Sequence, residues 1–327
     1  MATRKSPGKK TGQKTGKRRS AAGRRASGRT LAVWLGTVAV ATAVVTALFF
    51  IFIAPAIFHT GPVTDEIGEA SLDRAKSYPE TDAEIPDVRD RFKDYTLEGS
   101  LKSARIAIVI DDFGYDIKRL RRLFGVDAEI AVAVLPHQKY STASAEEAHL
   151  HGWQVLLHLP MEPENSSVND PGKGALYTSM DNSAIRTTLD RDLSSVPYVS
   201  GVNNHMGSKA TADTRMMRIV LKQVAERGLF FLDSRTTAKS VAGDLMASMG
   251  VRGGVRSIFL DNTRNHDYIR AQIGELVRTA RRTGSAIAIG HPYNETIDVL
   301  LETVPLLKES GIEVVSITDL MAPGGTE

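Results

Sequence analysis

The chain contains no cysteine. That absence removes structural disulfides, thiolate metal sites and a cysteine nucleophile together. Any metal must then be bound through nitrogen and oxygen. A second absence is positional. The first 30 residues hold 11 Lys/Arg and no acid, leaving 30 bases against 38 acids, a net of −8, in the rest of the 327 residues. The whole-chain pI near 9.0 therefore averages two segments of opposite sign. It gives no charge-based case for nucleic-acid binding by the larger one. At 42% hydrophobic and 24% charged residues the composition is that of a globular protein. The length allows one large domain or two smaller ones.

Residues 1–30 are mostly Lys, Arg, Gly, Ser and Thr, with almost nothing to bury. Such a segment does not offset the entropy of ordering and is expected to be a disordered cytoplasmic tail. The following 28 residues, Leu31 to Phe58, lack any charge. As a helix they would span ~42 Å, more than the ~30 Å hydrocarbon core, so they are expected to form a transmembrane anchor. The basic flank should stay inside, which places the rest on the periplasmic or extracytoplasmic side of the cytoplasmic membrane. The Ala54-Pro55-Ala56 stretch leaves a second expectation open, secretion after signal-peptide cleavage. Residues 59–103, acidic and punctuated by proline, read as an extracytoplasmic linker.

Beyond Ser103, short β-branched runs recur at Arg105–Ile110, Glu129–Leu135, Trp153–Leu159, Tyr198–Asn204, Gly228–Asp233, Arg256–Asp261, Ser285–Gly290 and Ile312–Ile317. Amphipathic helical patterns such as Thr214–Arg227 and His266–Thr283 lie between them. Near-continuous apolar strands alternating with helices predict an α/β fold with a parallel sheet covered on both faces. A (β/α) barrel suits the spacing better than an open doubly wound sheet.

Polar residues cluster where these strands end, and parallel strands converge there on one mouth. Asp111 and Asp112 follow the first strand. Neighbouring strand positions face opposite sides, so one could serve as metal ligand and the other as base, or one could cap the helix near Tyr115. His158 interrupts the third strand, Glu162 lies four residues later, and His205 sits in the Asn203-Asn204-His205 strand end. His291, followed by proline, is a candidate acid or ligand. Asp233 and Asp261 could orient histidines or cap helices. His59, His137, His149, His151 and His266 read as solvated or structural. Imidazoles with a carboxylate and no thiolate suit Zn2+ or a similar divalent ion.

The segments IAIVIDDFGYD, LLHLPMEP, GVNNHMGSKAT, GLFFLDSRTT and AIAIGHPYNETIDVL together resemble the divergent polysaccharide deacetylase family, a distant branch of the NodB-like carbohydrate esterases. The resemblance runs from Ala104 to Met321. It implies a distorted seven-stranded (β/α) barrel over residues 104–322 and metal-dependent N-deacetylation of a polysaccharide, peptidoglycan being one candidate. It makes Asp111 the base, Asp112 and His158 metal ligands, and His291 the general acid. The second histidine of the superfamily's His-x-x-x-His pair is Glu162 here. The superfamily's arginine-containing loop is replaced by Gly201–Thr211, which supplies His205. The implied ligand set is Asp112, His158 and His205, with Glu162 as the substitute for His205. The alternative function is a glycan-binding or envelope scaffolding protein that keeps the barrel without the reaction.

The topology is testable apart from the chemistry. A reporter fused after Ser103 is expected to be active only outside the cytoplasm, and activity inside would refute the orientation.

Overall fold

The computed structural model describes residues 104–321. The tail, membrane anchor and linker expected over residues 1–103 lie outside them. Among the described residues no helix is long and apolar enough to cross a membrane. The strands are β1 (Ala104–Phe113), β2 (Ala131–Val134), β3 (Val155–Met161), β4 (Val199–Met206), β5 (Phe230–Asp233), β6 (Gly253–Val255), β7 (Ile258–Phe259), β8 (Ser285–Gly290) and β9 (Ile312–Val314). The helices are α1 (Ile117–Leu123), α2 (Ser141–Leu150), α3 (Asn182–Ser195), α4 (Thr214–Glu226), α5 (Ala242–Met249), α6 (His266–Thr283) and α7 (Asn294–Glu309).

All ladders are parallel, in the order β6-β5-β4-β3-β2-β1-β8-β7, with β9 beside the start of β1. Among the described residues the sheet has nine strands, not the seven that the family resemblance implies. The sheet curls into an incomplete barrel. Its two end strands are consecutive in the chain, joined through Arg256 and Ser257 instead of by a ladder. The Arg256 amide bonds to Asp233 O at 3.0 Å and the Ser257 amide to Ile287 O at 2.8 Å, so the backbone hands over from one edge to the other.

Period-two alternation sorts the strand residues into two apolar layers. Ile106, Ile108 and Ile110 of β1 face the helices, joined by Val132, Leu157, Val202 and Phe231. Ala107 and Val109 face inward with Ala133, Leu156, Phe230, Leu232, Ile287 and Ile289. On β4, Gly201 makes room for Phe230, whose ring lies where a Cβ on that glycine would fall, at 2.3 Å. The helices present one apolar stripe each. In α6 it is Ile269, Ile273, Leu276, Val277 and Ala280, from an N-cap at Asn265 to a left-handed stop at Gly284.

The inward layer ends at the strand C-termini, and the chemistry begins there. Of the five non-glycine residues with positive φ among the described residues, four sit at or just past those ends: Asp112, His137, Met206 and Arg235. Backbone strain of this kind persists only where surrounding structure holds it.

β6, the one strand without a counterpart among the β-branched runs, has the sequence Gly253-Gly254-Val255. Glycine is required because the neighbours approach so closely. A Cβ on Gly253 would lie 2.3 Å from the Phe231 carbonyl oxygen and 2.3 Å from Met246 Sδ. Gly253→Ala is therefore expected to destabilise the domain by about 1–3 kcal/mol, read as a lower denaturation midpoint at unchanged m-value. A shift within error of zero would show that this edge is loose.

Candidate metal centre

The site is built on a break in β1. Asp111 follows the parity of Ala107 and Val109 and so points inward. The pairing of β1 with β2 then shifts register between Ile110 and Phe113, and Asp112 takes a left-handed backbone with φ of 59°. Aspartate tolerates this region better than most residues. The bulge cancels strand alternation, so both carboxylates reach one imidazole, with Asp111 Oδ2 at 3.7 Å and Asp112 Oδ1 at 3.2 Å from His158 Nε2. Neither caps the following helix, because Asp116 does so through a 2.8 Å bond from the Lys118 amide.

His158 and Asn203 face each other across the β3–β4 ladder, and His205 lies two residues further along β4 on the same face. His158 Nε2, His205 Nδ1 and Asp112 Oδ1 form a nearly equilateral triangle with edges of 3.1, 3.1 and 3.2 Å. Tetrahedral bonds of about 2.0–2.1 Å to a divalent ion require ligand edges of roughly 3.3–3.4 Å, so the three atoms need only a slight spread. Asp112 Oδ1 is also buried with no hydrogen-bond partner of good geometry.

The tautomer of His158 sharpens the fit. Asn203 is fully buried; its amide nitrogen donates to Asp111 Oδ1 at 2.8 Å, and its oxygen faces His158 Nδ1 at 2.9 Å. A carboxylate only accepts, which orients the amide, and the amide oxygen then fixes the His158 proton on Nδ1. Nε2 is left with a lone pair aimed at the triangle. His205 has one Nδ1 proton at most, which cannot serve both that lone pair and the orphaned carboxylate oxygen. Two electron-rich atoms converging in a buried mouth are what a cation relieves.

The other expected residues fall into two groups. His291 follows β8 and is gripped by Asp261, whose carboxylate accepts from the His291 amide at 2.5 Å and contacts Nδ1 at 2.9 Å. Thr296 donates to the same carboxylate at 2.8 Å. His291 Nε2 stands 3.9 Å from Asp112 Oδ2, beside the triangle, with its ring stacked on Phe259. Glu162 and Asp233 lie apart from it. Glu162 accepts from the Thr178 amide at 2.7 Å, the Thr178 hydroxyl at 2.6 Å and Lys209 Nζ at 2.8 Å. It latches the β3–α3 and β4–α4 loops together. Asp233 has the outward parity of Phe231 and accepts from the Arg235 amide and the Ser240 hydroxyl. Asn203, named in the sequence only as part of the Asn203-Asn204-His205 strand end, is the residue whose role was not read there. The available signal was its i, i−2 relation to His205 on one strand face.

Electrostatics separates the three acid–base groups. Burial raises the Asp111 carboxyl above the usual carboxylate range, against the pull of His158 and His291. Burial would also raise Asp112, but the His158 and His205 imidazoles beside it hold it well below that range. For His291 burial works toward the neutral ring, yet the Asp261 carboxylate prevails and lifts it to about 9.

A family model described as divergent polysaccharide deacetylase matches residues 108–321. The chain is 39% identical over 222 residues to an uncharacterized protein of Haemophilus influenzae, covering 68% of this chain and 78% of that one. It is 37% identical over 208 residues to the uncharacterized protein YibQ of Escherichia coli, covering 64% of this chain and 65% of that relative. A solved structure of an uncharacterized protein from Agrobacterium tumefaciens C58 shares the fold, with a TM-score of 0.65 at 23% identity over 70% of this chain and 94% of that one.

Two outcomes follow from the geometry. Asn203→Leu keeps the volume but releases the His158 tautomer, so zinc affinity in a chelator competition should fall about 10–100-fold; unchanged affinity would remove Asn203 from the site. In the metal-free protein, His291 should titrate near 9 by NMR, and Asp261→Asn should bring it toward the ordinary 6.5. The sign is fixed by linkage: a raised histidine contributes stability that is complete below 6.5 and lost as pH rises through about 9. A wild-type value at 6.5 would contradict the pairing.

Proposed function

This chain belongs to the divergent polysaccharide deacetylase family, and from that premise we propose a metal-dependent N-deacetylase acting on an N-acetylated polysaccharide of the cell envelope. The observation that carries the reading is the triangle of Asp112, His158 and His205 atoms, flanked by a buried carboxylate on one side and a raised imidazole on the other. A nitrogen and carboxylate donor set without sulfur favours zinc.

Asp112, His158 and His205 would hold the divalent ion, which would supply Lewis-acid chemistry at the acetamide. Asp111 is placed to accept the proton of the attacking water. Asn203, donating to its Oδ1, keeps the carboxylate turned toward the mouth while Oδ2 remains available. His291, lifted to about 9 against burial chiefly by the Asp261 carboxylate, stands with Nε2 3.9 Å from Asp112 Oδ2, suited to give its proton to the departing sugar nitrogen. The products are acetate and a free amine. Asp261 keeps His291 Nδ1 engaged, so that Nε2 is the nitrogen presented.

The charge-free run Leu31–Phe58 and the basic tail before it place the reaction outside the cytoplasmic membrane in this reading. Peptidoglycan is then the abundant N-acetylated glycan within reach.

The test is acetate release from N-acetylglucosamine oligomers by the zinc-loaded full chain. Asp111→Asn is expected to lower the rate about 10²–10⁴-fold, the range of a lost general base, with zinc content unchanged. Absence of turnover by the wild type, with saturable oligomer binding, would transfer support to a glycan-binding role on the same fold.

A further inference from the structure

The loop that grips His291 makes a second contact beside it. Between β7 and α6 the chain supplies Asp261, which holds the imidazole, and three residues later Arg264, which is exposed. The Arg264 guanidinium lies over the ring of Tyr293, 3.7 Å from its centroid. Tyr293 follows His291 by two residues, and the two ring centroids are 5.4 Å apart with planes tilted by 32°. A guanidinium is thereby fixed one ring away from the imidazole whose Nε2 faces Asp112.

Arg256 makes a similar contact with a different outcome. Its guanidinium lies 3.9 Å over Phe259, whose ring is parallel to that of His291. The Arg256 donors are taken up by main chain, Nε by Ser234 O at 2.6 Å and Nη2 by Arg235 O at 3.1 Å. Arg256 is a strut. Arg264 has no such anchorage. Beyond Tyr293, no carboxylate or carbonyl among the described residues takes its N–H groups. The lysines of neighbouring mouth loops are neutralised, Lys209 by Glu162 at 2.8 Å and Lys239 by Glu164 at 3.1 Å. Acids close to Arg264 in the chain or on α7 are engaged elsewhere, Asp267 by Arg270 and Asp298 by Arg122 and His266.

Stacking decides what such a group can bind. The ring occupies the face of the guanidinium, whereas the N–H bonds lie in its plane and point outward from the edge. That planar fork matches the two coplanar oxygens of a carboxylate through parallel, charge-assisted bonds. A neutral hydroxyl offers it one uncharged acceptor.

We propose that Arg264, held in place by Tyr293, is a specificity-determining residue that recognises a carboxylate borne close to the acetamide, so that the substrate is an acidic N-acetylated glycan. The proposal rests on the deacetylase reading of the metal centre and narrows its substrate class.

Acetate release by the zinc-loaded full chain from three tetrasaccharides tests it. One is the neutral tetramer of N-acetylglucosamine. The second alternates N-acetylglucosamine with N-acetylmuramic acid and carries free lactyl carboxylates; the third is its lactyl carboxamide, which keeps the bulk and loses the charge. The wild type should favour the acid over the carboxamide about tenfold in kcat/KM, chiefly through a lower KM, and the preference should shrink as salt is raised. Arg264→Gln should erase it, and Arg264→Lys, which keeps the charge without the fork, should retain only part. Both substrates meet the same catalytic groups, so their ratio cancels any loss of folded or zinc-loaded protein in a variant. A wild-type ratio of one or less, or a preference that survives Arg264→Gln, overturns the assignment and leaves the deacetylase reading standing. No acetate from any of the three overturns that reading and this one with it.

Discussion

One backbone distortion, the left-handed turn of Asp112, governs the rest of the site. In an unbroken strand, Asp111 and Asp112 would face opposite layers, and only one could enter the mouth. The bulge delivers both to His158 and leaves the Asp112 carboxylate oxygen buried without a hydrogen bond. Strain at a non-glycine residue and an unsatisfied buried oxygen are each worth on the order of 1–3 kcal/mol against folding. Both persist because the surrounding ladders fix the chain: β1 pairs with β8 up to Ile110, and Phe113 resumes pairing with β2. A site that is costly when empty is one whose ligand adds to stability when bound.

Around that distortion the fold divides labour among like groups. Two adjacent aspartates experience opposite environments, one raised by burial and the other lowered by two imidazoles. Separation of this kind is how neighbouring carboxyls acquire different roles. The histidines separate in the same way. Asn203 turns one lone pair of His158 into the triangle, whereas Asp261 keeps His291 charged beside it. Each orienting residue comes from a strand or loop next to its target, so geometry is held by ladders as well as by side chains.

Much of the architecture was legible in the chain. All eight β-branched runs overlap strands, and the Thr214 and His266 helices begin at the expected residues. Strand β6 escaped because Gly253 and Gly254 pack by lacking side chains, which periodicity cannot register. The meeting of Asp112, His158 and His205 was foreseeable, since inward strand ends converge. Glu162 was a poorer guide, because its spacing from His158 says nothing of Thr178 and Lys209, which arrive from distant segments. Asn203 carries only its two-residue spacing from His205 as a local sign, and the hydrogen-bonded His137–Asp192 pair carries none. Their meaning comes from cross-strand register and from a helix docking on a loop.

The central claim is that this chain holds one divalent ion with Asp112, His158 and His205. Elemental analysis of the full chain, stripped with chelator and reloaded with zinc, tests it most directly when wild type and His158→Ala are compared. The account predicts one zinc per chain in the wild type and a stoichiometric loss in the variant. Absence of bound zinc in the wild type, or equal retention by both proteins, would contradict it.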